Sequence, residues 1–316
     1  METLRLCVVA INLLLAAALH GQDPQIDRTS PTIQFVAVGK DIKLEVLDWG
    51  GSGRPLILLP GLGDTAHVFD KFALKLISDY RVYGITPRGF GASSAPPPET
   101  GNYSADQLGD DVVTVINEFK LDHPVIGGHS VAGEVLSSIG NRHPEKASAL
   151  IYIDAGCSYA LYDNAHGDLV LDSIALRNRI NQLHLGTLPR TPEQVDKLLT
   201  EIRQLEQELQ QRKEDLSLMS PPHPISDPIS VAVLDGQQKY THINLPVLAI
   251  FNVPHSPVFL RNMENQANAF EVQVPQARII RIADADHYLF RTNEADVLRA
   301  MKDFIHGLDI GKLEKR

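Results

Sequence analysis

Short, unbroken apolar runs recur along the chain at residues 56–59, 125–126, 149–153 and 247–251, each closed by a proline, glycine, aspartate or asparagine. A run without alternation is the pattern of a strand covered on both faces, as in the middle of a parallel sheet. Two further strands are predicted at 81–85 and 278–282. Ahead of them, residues 33–38 and 42–47 flank Gly39-Lys40-Asp41 and read as a hairpin. Between the strands the period changes. Leu108, Val112, Val115, Ile116 and Phe119 lie on one face of a helix over 104–119 with Ser104 as N-cap. Helices are also predicted over 131–143, over 295–306, and from a Thr65 or Asp64 cap to about residue 78. Residues 48–53 read as a loop with Trp49 as a packing residue, and Pro96-Pro97-Pro98 marks an exposed loop. Strand–helix alternation of this kind predicts an α/β fold: a mostly parallel central sheet flanked by helices.

The alternation breaks between residues 156 and 241, where the chain is helical and far more charged. This divides the sequence into a core, residues 32–155 and 242–310, and a helical lid insertion over 156–241. Thr191-Pro192-Glu193-Gln194 is a strong helix start. Val195, Leu198, Leu199, Ile202, Leu205 and Leu209 follow on one face of a helix reaching about residue 216. We expect that face to lie on the core and the charged face in solvent; a short coiled-coil seam is the alternative. Ser220-Pro221-Pro222-His223-Pro224 breaks the helix. Tyr159, Leu161, Tyr162 and Leu169 either line a pocket or pack the insertion onto the sheet.

The first 21 residues form a separate unit. One arginine (Arg5) precedes an apolar stretch over 6–19, too short for an ordinary spanning helix, and Ala16-Ala17-Ala18 offers a small-residue cleavage site. The expectation is a cleaved signal peptide and export, periplasmic or secreted, with an uncleaved N-terminal anchor as the rival. Removal of this segment would take Cys7 with it and leave Cys157 without an intramolecular disulfide partner. The formal charge of −10 argues against nucleic-acid or anionic-membrane partners and says nothing about substrate; the partner expected from the chemistry below is a small-molecule substrate.

Candidate chemistry centres on Val125-Ile126-Gly127-Gly128-His129-Ser130-Val131-Ala132-Gly133. A strand ends in glycines, a serine follows, and small residues open a helix. This is the context of a nucleophile elbow, in a G-x-S-x-A variant with Gly133 one step later. A serine needs a base. Of 12 histidines, His287 is placed best, a short loop beyond the last strand and at the same sheet edge as Ser130. His129 is expected to pack or bond locally, and His67, His166 and His255 are pocket-lining alternatives. No metal-ligand spacing and no cofactor motif occurs; Arg88-Gly89-Phe90-Gly91 lacks the lysine of a phosphate loop.

The chain resembles α/β-hydrolase fold proteins of the lid-bearing esterase, epoxide-hydrolase and haloalkane-dehalogenase type. The resemblance runs over residues 33–306. It rests on Leu58-Leu59-Pro60-Gly61-Leu62-Gly63, Pro87-Arg88-Gly89-Phe90-Gly91-Ala92-Ser93, Gly128-His129-Ser130-Val131-Ala132-Gly133 and Asp286-His287-Tyr288-Leu289, in the family's order. It implies Ser130 as nucleophile, His287 as base, and the backbone N–H groups of Leu62 and Val131 as the oxyanion hole. Pro60 replaces the histidine often found ahead of that loop. The family usually places its acid just after the strand 247–251, where this chain has Asn252-Val253-Pro254. Some members carry it one strand earlier, and Asp154 stands there; Asp284 and Asp286 are the lesser options. Ser130 disfavours the epoxide-hydrolase and dehalogenase branches, which use aspartate at the elbow. The resulting expectation is a serine hydrolase of carboxylic esters working through an acyl-enzyme. The alternatives are C–C bond or amide hydrolysis at the same site, or a non-catalytic relative that binds a ligand.

Overall fold

The computed structural model describes residues 30–184, 189, 191–218 and 225–313. The expected export segment and the proline-rich break at 220–224 lie outside the described residues. Eight strands form one sheet in the order β1-β2-β4-β3-β5-β6-β7-β8. They are β1 Thr32–Gly39, β2 Ile42–Gly50, β3 Arg54–Leu59, β4 Tyr80–Ile85, β5 Val125–His129, β6 Ala149–Ile153, β7 Val247–Asn252 and β8 Ala277–Ile282. β1 and β2 pair antiparallel, as do β2 and β4; every other pairing is parallel. The helices are α1 Asp70–Ala73, α2 Thr100–Tyr103, α3 Ala105–Glu118, α4 Ala132–Arg142, α5 Leu169–His184, α6 Pro192–Leu218, α7 Pro228–Asp235, α8 Pro257–Gln273, α9 Leu289–Thr292 and α10 Glu294–Leu313.

The unbroken apolar runs are strands covered on both faces, and their residues alternate between two cores. Ile57, Leu59, Ile126, Leu150 and Tyr152 face the layer of α3, α4 and α8. Leu56, Leu58, Val125, Ile151 and Ile153 face Phe69, Phe72 and the α10 residues Val297, Met301 and Phe304. Complete burial of such side chains contributes about 1.5–3 kcal/mol each, so the central strands are held from both sides. Ser104 caps α3, its hydroxyl accepting from the Gln107 N–H.

Three expectations are corrected. β2 runs on through Asp48 and Trp49 to Gly50, because pairing with β4 continues there across an irregularity in register. Trp49 is buried, and its indole N–H donates to Asp70. The helix expected from residue 64 to 78 is a 3₁₀ turn, Ala66–Phe69, then the single turn α1. The remainder is held by i→i+3 bonds such as Lys75 N–H to Phe72 O, while Phe69, Phe72 and Leu76 still reach the core.

The third correction concerns α6. Most of its apolar stripe does not lie on the core: Val195, Leu199, Ile202 and Leu209 are 41–53% exposed, while Leu198 and Leu205 are half-buried. The helix docks on a neighbouring, mixed face instead. Gln204 donates to the Tyr162 hydroxyl at 2.9 Å, and Asp215 is buried against Arg261 of α8 at 2.7 Å. Polar partners set the rotation of α6 about its axis, and most of the apolar stripe is left outside. Among the described residues no helix is long and apolar enough to cross a membrane.

Candidate active site

Parallel pairing brings the carboxyl ends of β3, β5 and β6 side by side. Leu59 pairs with Gly128 and His129 pairs with Ile153. Pro60, Ser130 and Asp154 therefore leave the sheet as neighbours. Ser130 has φ +55° and Asp154 φ +47°, both in the left-handed region that costs a non-glycine residue of order 1–3 kcal/mol. Such strain persists where the surroundings over-determine it, and here they do. A Cβ on Gly61 would stand 3.1 Å from the Ser130 Cβ, and one on Gly128 would stand 3.0 Å from the Ala132 Cβ. A Cβ on Gly133 would overlap the Ala155 carbonyl oxygen at 2.0 Å. The glycine shifted one place along the motif is thus required by the close approach of the chain after β6, and alanine suffices at 132.

The serine hydroxyl lies 2.8 Å from His287 Nε2, and His287 Nδ1 lies 2.7 Å from Asp154 Oδ2. With Nδ1 protonated toward the carboxylate, Nε2 is free to accept from the hydroxyl. Asp154 is itself fixed by two donors from one residue: the Asn252 backbone N–H at 3.1 Å and its side-chain amide at 2.8 Å. Asp286 turns away and accepts from the Tyr288 N–H at 2.7 Å. The backbone N–H groups of Leu62 and Val131 take part in no hydrogen bond within the described residues. They flank Ser130, one from the loop after β3 and one from the start of α4.

Two aromatic side chains hold the base loop. His129, buried beneath His287 with ring centroids 4.6 Å apart, donates its Nε2–H to the His287 carbonyl oxygen at 2.8 Å. Burial, and then the neighbouring His287 ring, pushes its pKa down to about 4, so it stays neutral. The Tyr288 hydroxyl donates to Asp64 at 3.0 Å and ties the base loop to the loop carrying Leu62. Elsewhere, His67 bonds Asp70 and His166 bonds Asp163, while His255 is exposed. Arg88 forms a buried, bidentate pair with Asp111 at 2.7 and 2.6 Å, a structural role. Leu161 is buried in the core, while Tyr162 is buried with its hydroxyl donating to Asp172 at the start of α5. No group of His, Cys, Asp or Glu side chains suited to a metal ion occurs among the described residues.

The family of the alpha/beta hydrolase fold matches residues 54–178. A thermophilic esterase from Thermogutta terrifontis superposes with a TM-score of 0.58 at 17% identity, over 88% of this chain and 99% of that one. The chain has the α/β-hydrolase fold. Fluoroacetate dehalogenase of a Burkholderia species is 28% identical over 116 residues, 36% of this chain and 38% of the relative. The 2-(acetamidomethylene)succinate hydrolase of Mesorhizobium japonicum is 26% identical over 104 residues, 33% of this chain and 36% of the relative. The alignable stretch is thus under two-fifths of either relative's length.

Within this α/β-hydrolase fold Ser130, His287 and Asp154 lie together at the carboxyl edge of the sheet. Asn252, His129 as a brace for the base loop, and the Tyr288–Asp64 tie are not visible in the sequence. Asn252 left one trace. It stands at the position where the fold commonly carries its acid, with an amide in place of a carboxylate.

Proposed function

We propose that this protein is a serine hydrolase acting on carboxylic esters. The observation that carries the reading is the continuous hydrogen-bonded chain from Ser130 through His287 to Asp154. Ser130 Oγ attacks the ester carbonyl while His287 Nε2 takes its proton. The tetrahedral oxyanion forms between the Leu62 and Val131 N–H groups, and loss of one such donor typically costs about 10²–10³ in rate. His287 then protonates the leaving alcohol, and water, activated by the same ring, releases the acid from the acyl-enzyme. Asp154 holds the ring orientation and stabilises the imidazolium.

A serine at the elbow favours acyl transfer over the alkyl chemistry of the dehalogenase relative, and the names of the esterase and succinate-derivative hydrolase relatives point the same way. Reading the helices of the segment 156–241 as a lid is supported by Val233 of α7, which lines the cleft beside Val131. Export through the N-terminal apolar segment is part of the same proposal. The test is hydrolysis of p-nitrophenyl esters of two to eight acyl carbons by the purified protein and by Ser130→Ala. Turnover with a burst of nitrophenol, abolished in the variant, supports the reading. Turnover unchanged in Ser130→Ala overturns it.

A further inference from the structure

A narrow cleft lies beside the Leu62 and Val131 backbones and runs between the sheet, α3 and α4. Its walls are apolar, among them Leu59, Ile85, Phe90, Val112 and Val135, with two exceptions. One is Asp111, whose carboxylate is occupied by Arg88. The other is Glu134, in the first turn of α4. It is completely buried, yet neither carboxyl oxygen meets a hydrogen-bonding group among the described residues. A buried polar group without a partner costs about 1–3 kcal/mol, and an ionised one far more. Burial accordingly drives the Glu134 pKa well above its ordinary value, so the side chain is a neutral acid. Burial is the one cause of that shift, and the neighbouring phenols of Tyr159 and Tyr240 are likewise pushed upward, chiefly by their own burial.

A hydrophobic wall does not need this residue, and a site for a cation would place a carboxylate within reach of solvent or of a counter-charge. A neutral carboxyl group in an apolar cleft is a hydrogen-bond donor waiting for an acceptor. From this geometry we infer that the cleft receives the acyl chain of the substrate and that Glu134 donates to an oxygen carried along that chain, a ketone or hydroxyl. The substrate class is an ester of an oxo- or hydroxy-acid. The inference rests on the serine-hydrolase reading only for the identity of the bound group as an acyl chain. Glu134 touches substrate away from the reacting atoms and sets specificity.

The test uses the Ser130→Ala protein, which does not turn substrate over, and measures affinities for methyl heptanoate and for the methyl esters of 4-, 5- and 6-oxoheptanoic acid. At least one oxo ester is expected to bind roughly 10–100-fold more tightly than the heptanoate. Glu134→Gln, which keeps a neutral donor of the same shape, should preserve most of that preference, and Glu134→Met should remove it. An infrared difference spectrum is independent of whether the methionine variant folds. The protonated carboxyl C=O band should shift on binding the preferred oxo ester, and the shift should vanish in Glu134→Gln. Equal affinities, a preference that survives Glu134→Met, or an unmoved carboxyl band overturns the inference. So does tighter binding of methyl 7-aminoheptanoate, abolished in Glu134→Gln, which would make the site one for ammonium. If the oxo preference holds while the wild-type serine reacts with no ester or fluorophosphonate, the hydrolase reading fails and the binding site stands.

Discussion

The carboxyl edge of the sheet and the helical segment between β6 and β7 are built on opposite terms. At the sheet edge every position is fixed from two sides: strands buried on both faces deliver Ser130 and Asp154 in adjacent register, and backbone contacts leave no room for a Cβ at Gly133. In the helical segment, α6 packs chiefly against α5, buries polar groups such as Asp215, and leaves Leu199 and Ile202 in solvent. The difference teaches that an apolar stripe shows which face of a helix can be buried. Which face is buried depends on the partners available, here Tyr162, Asp172 and Arg261. Precise geometry is therefore concentrated at the sheet edge.

Substitutions should separate the two regions steeply. The largest effect is expected from Asp154→Asn, which keeps the shape but removes the charge that holds the His287 tautomer. kcat should fall by about 10⁴ with KM little changed, as read in steady-state ester hydrolysis. Activity within tenfold of wild type would move the acid elsewhere. Next comes Ile151→Ala, a fully buried β6 position, expected to cost about 2–5 kcal/mol in urea unfolding.

His129 gives a pH signature of similar size. Its imidazole titrates near 6.5 when unfolded and about 4 when folded, so between those values the unfolded chain binds the extra proton. Stability contributed by this group is complete above about pH 6.5 and falls as pH drops toward 4, by up to about 3 kcal/mol. His129→Gln, which retains a donor for the His287 carbonyl, should flatten that part of the stability–pH curve. At the small end, Leu199→Ser on the exposed stripe of α6 should shift unfolding by no more than about 0.5 kcal/mol. A loss of several kcal/mol there would mean that the stripe is covered in solution, and the comparison would fail.

The same contrast explains how much was legible in the sequence. Leu56–Leu59 and Ala149–Ile153 declared themselves because a strand buried on both faces permits nothing but apolar residues. Gly128 and Ser130 were readable because a tight turn admits few residue types, and His287 because it follows the last strand at the same sheet edge. Asp154 could be singled out only by the lack of a carboxylate after Phe251. Its support by Asn252 depends on how β6 and β7 align, which no local pattern encodes. Glu134 reads in sequence as an ordinary acidic residue in the first turn of a helix, where it complements the helix dipole. Its burial without a partner is a property of tertiary packing alone. For α6 the periodicity correctly announced a helix, and the burial expected from it was wrong because polar contacts decided the docking.

The central claim is that Ser130 is an activated nucleophile. The most direct measurement is treatment of the folded protein with a fluorophosphonate, followed by mass spectrometry of its peptides. One adduct is expected, on Ser130, formed rapidly in the wild type and lost in His287→Ala. A folded protein that forms no adduct, or forms it on another residue, would contradict the account.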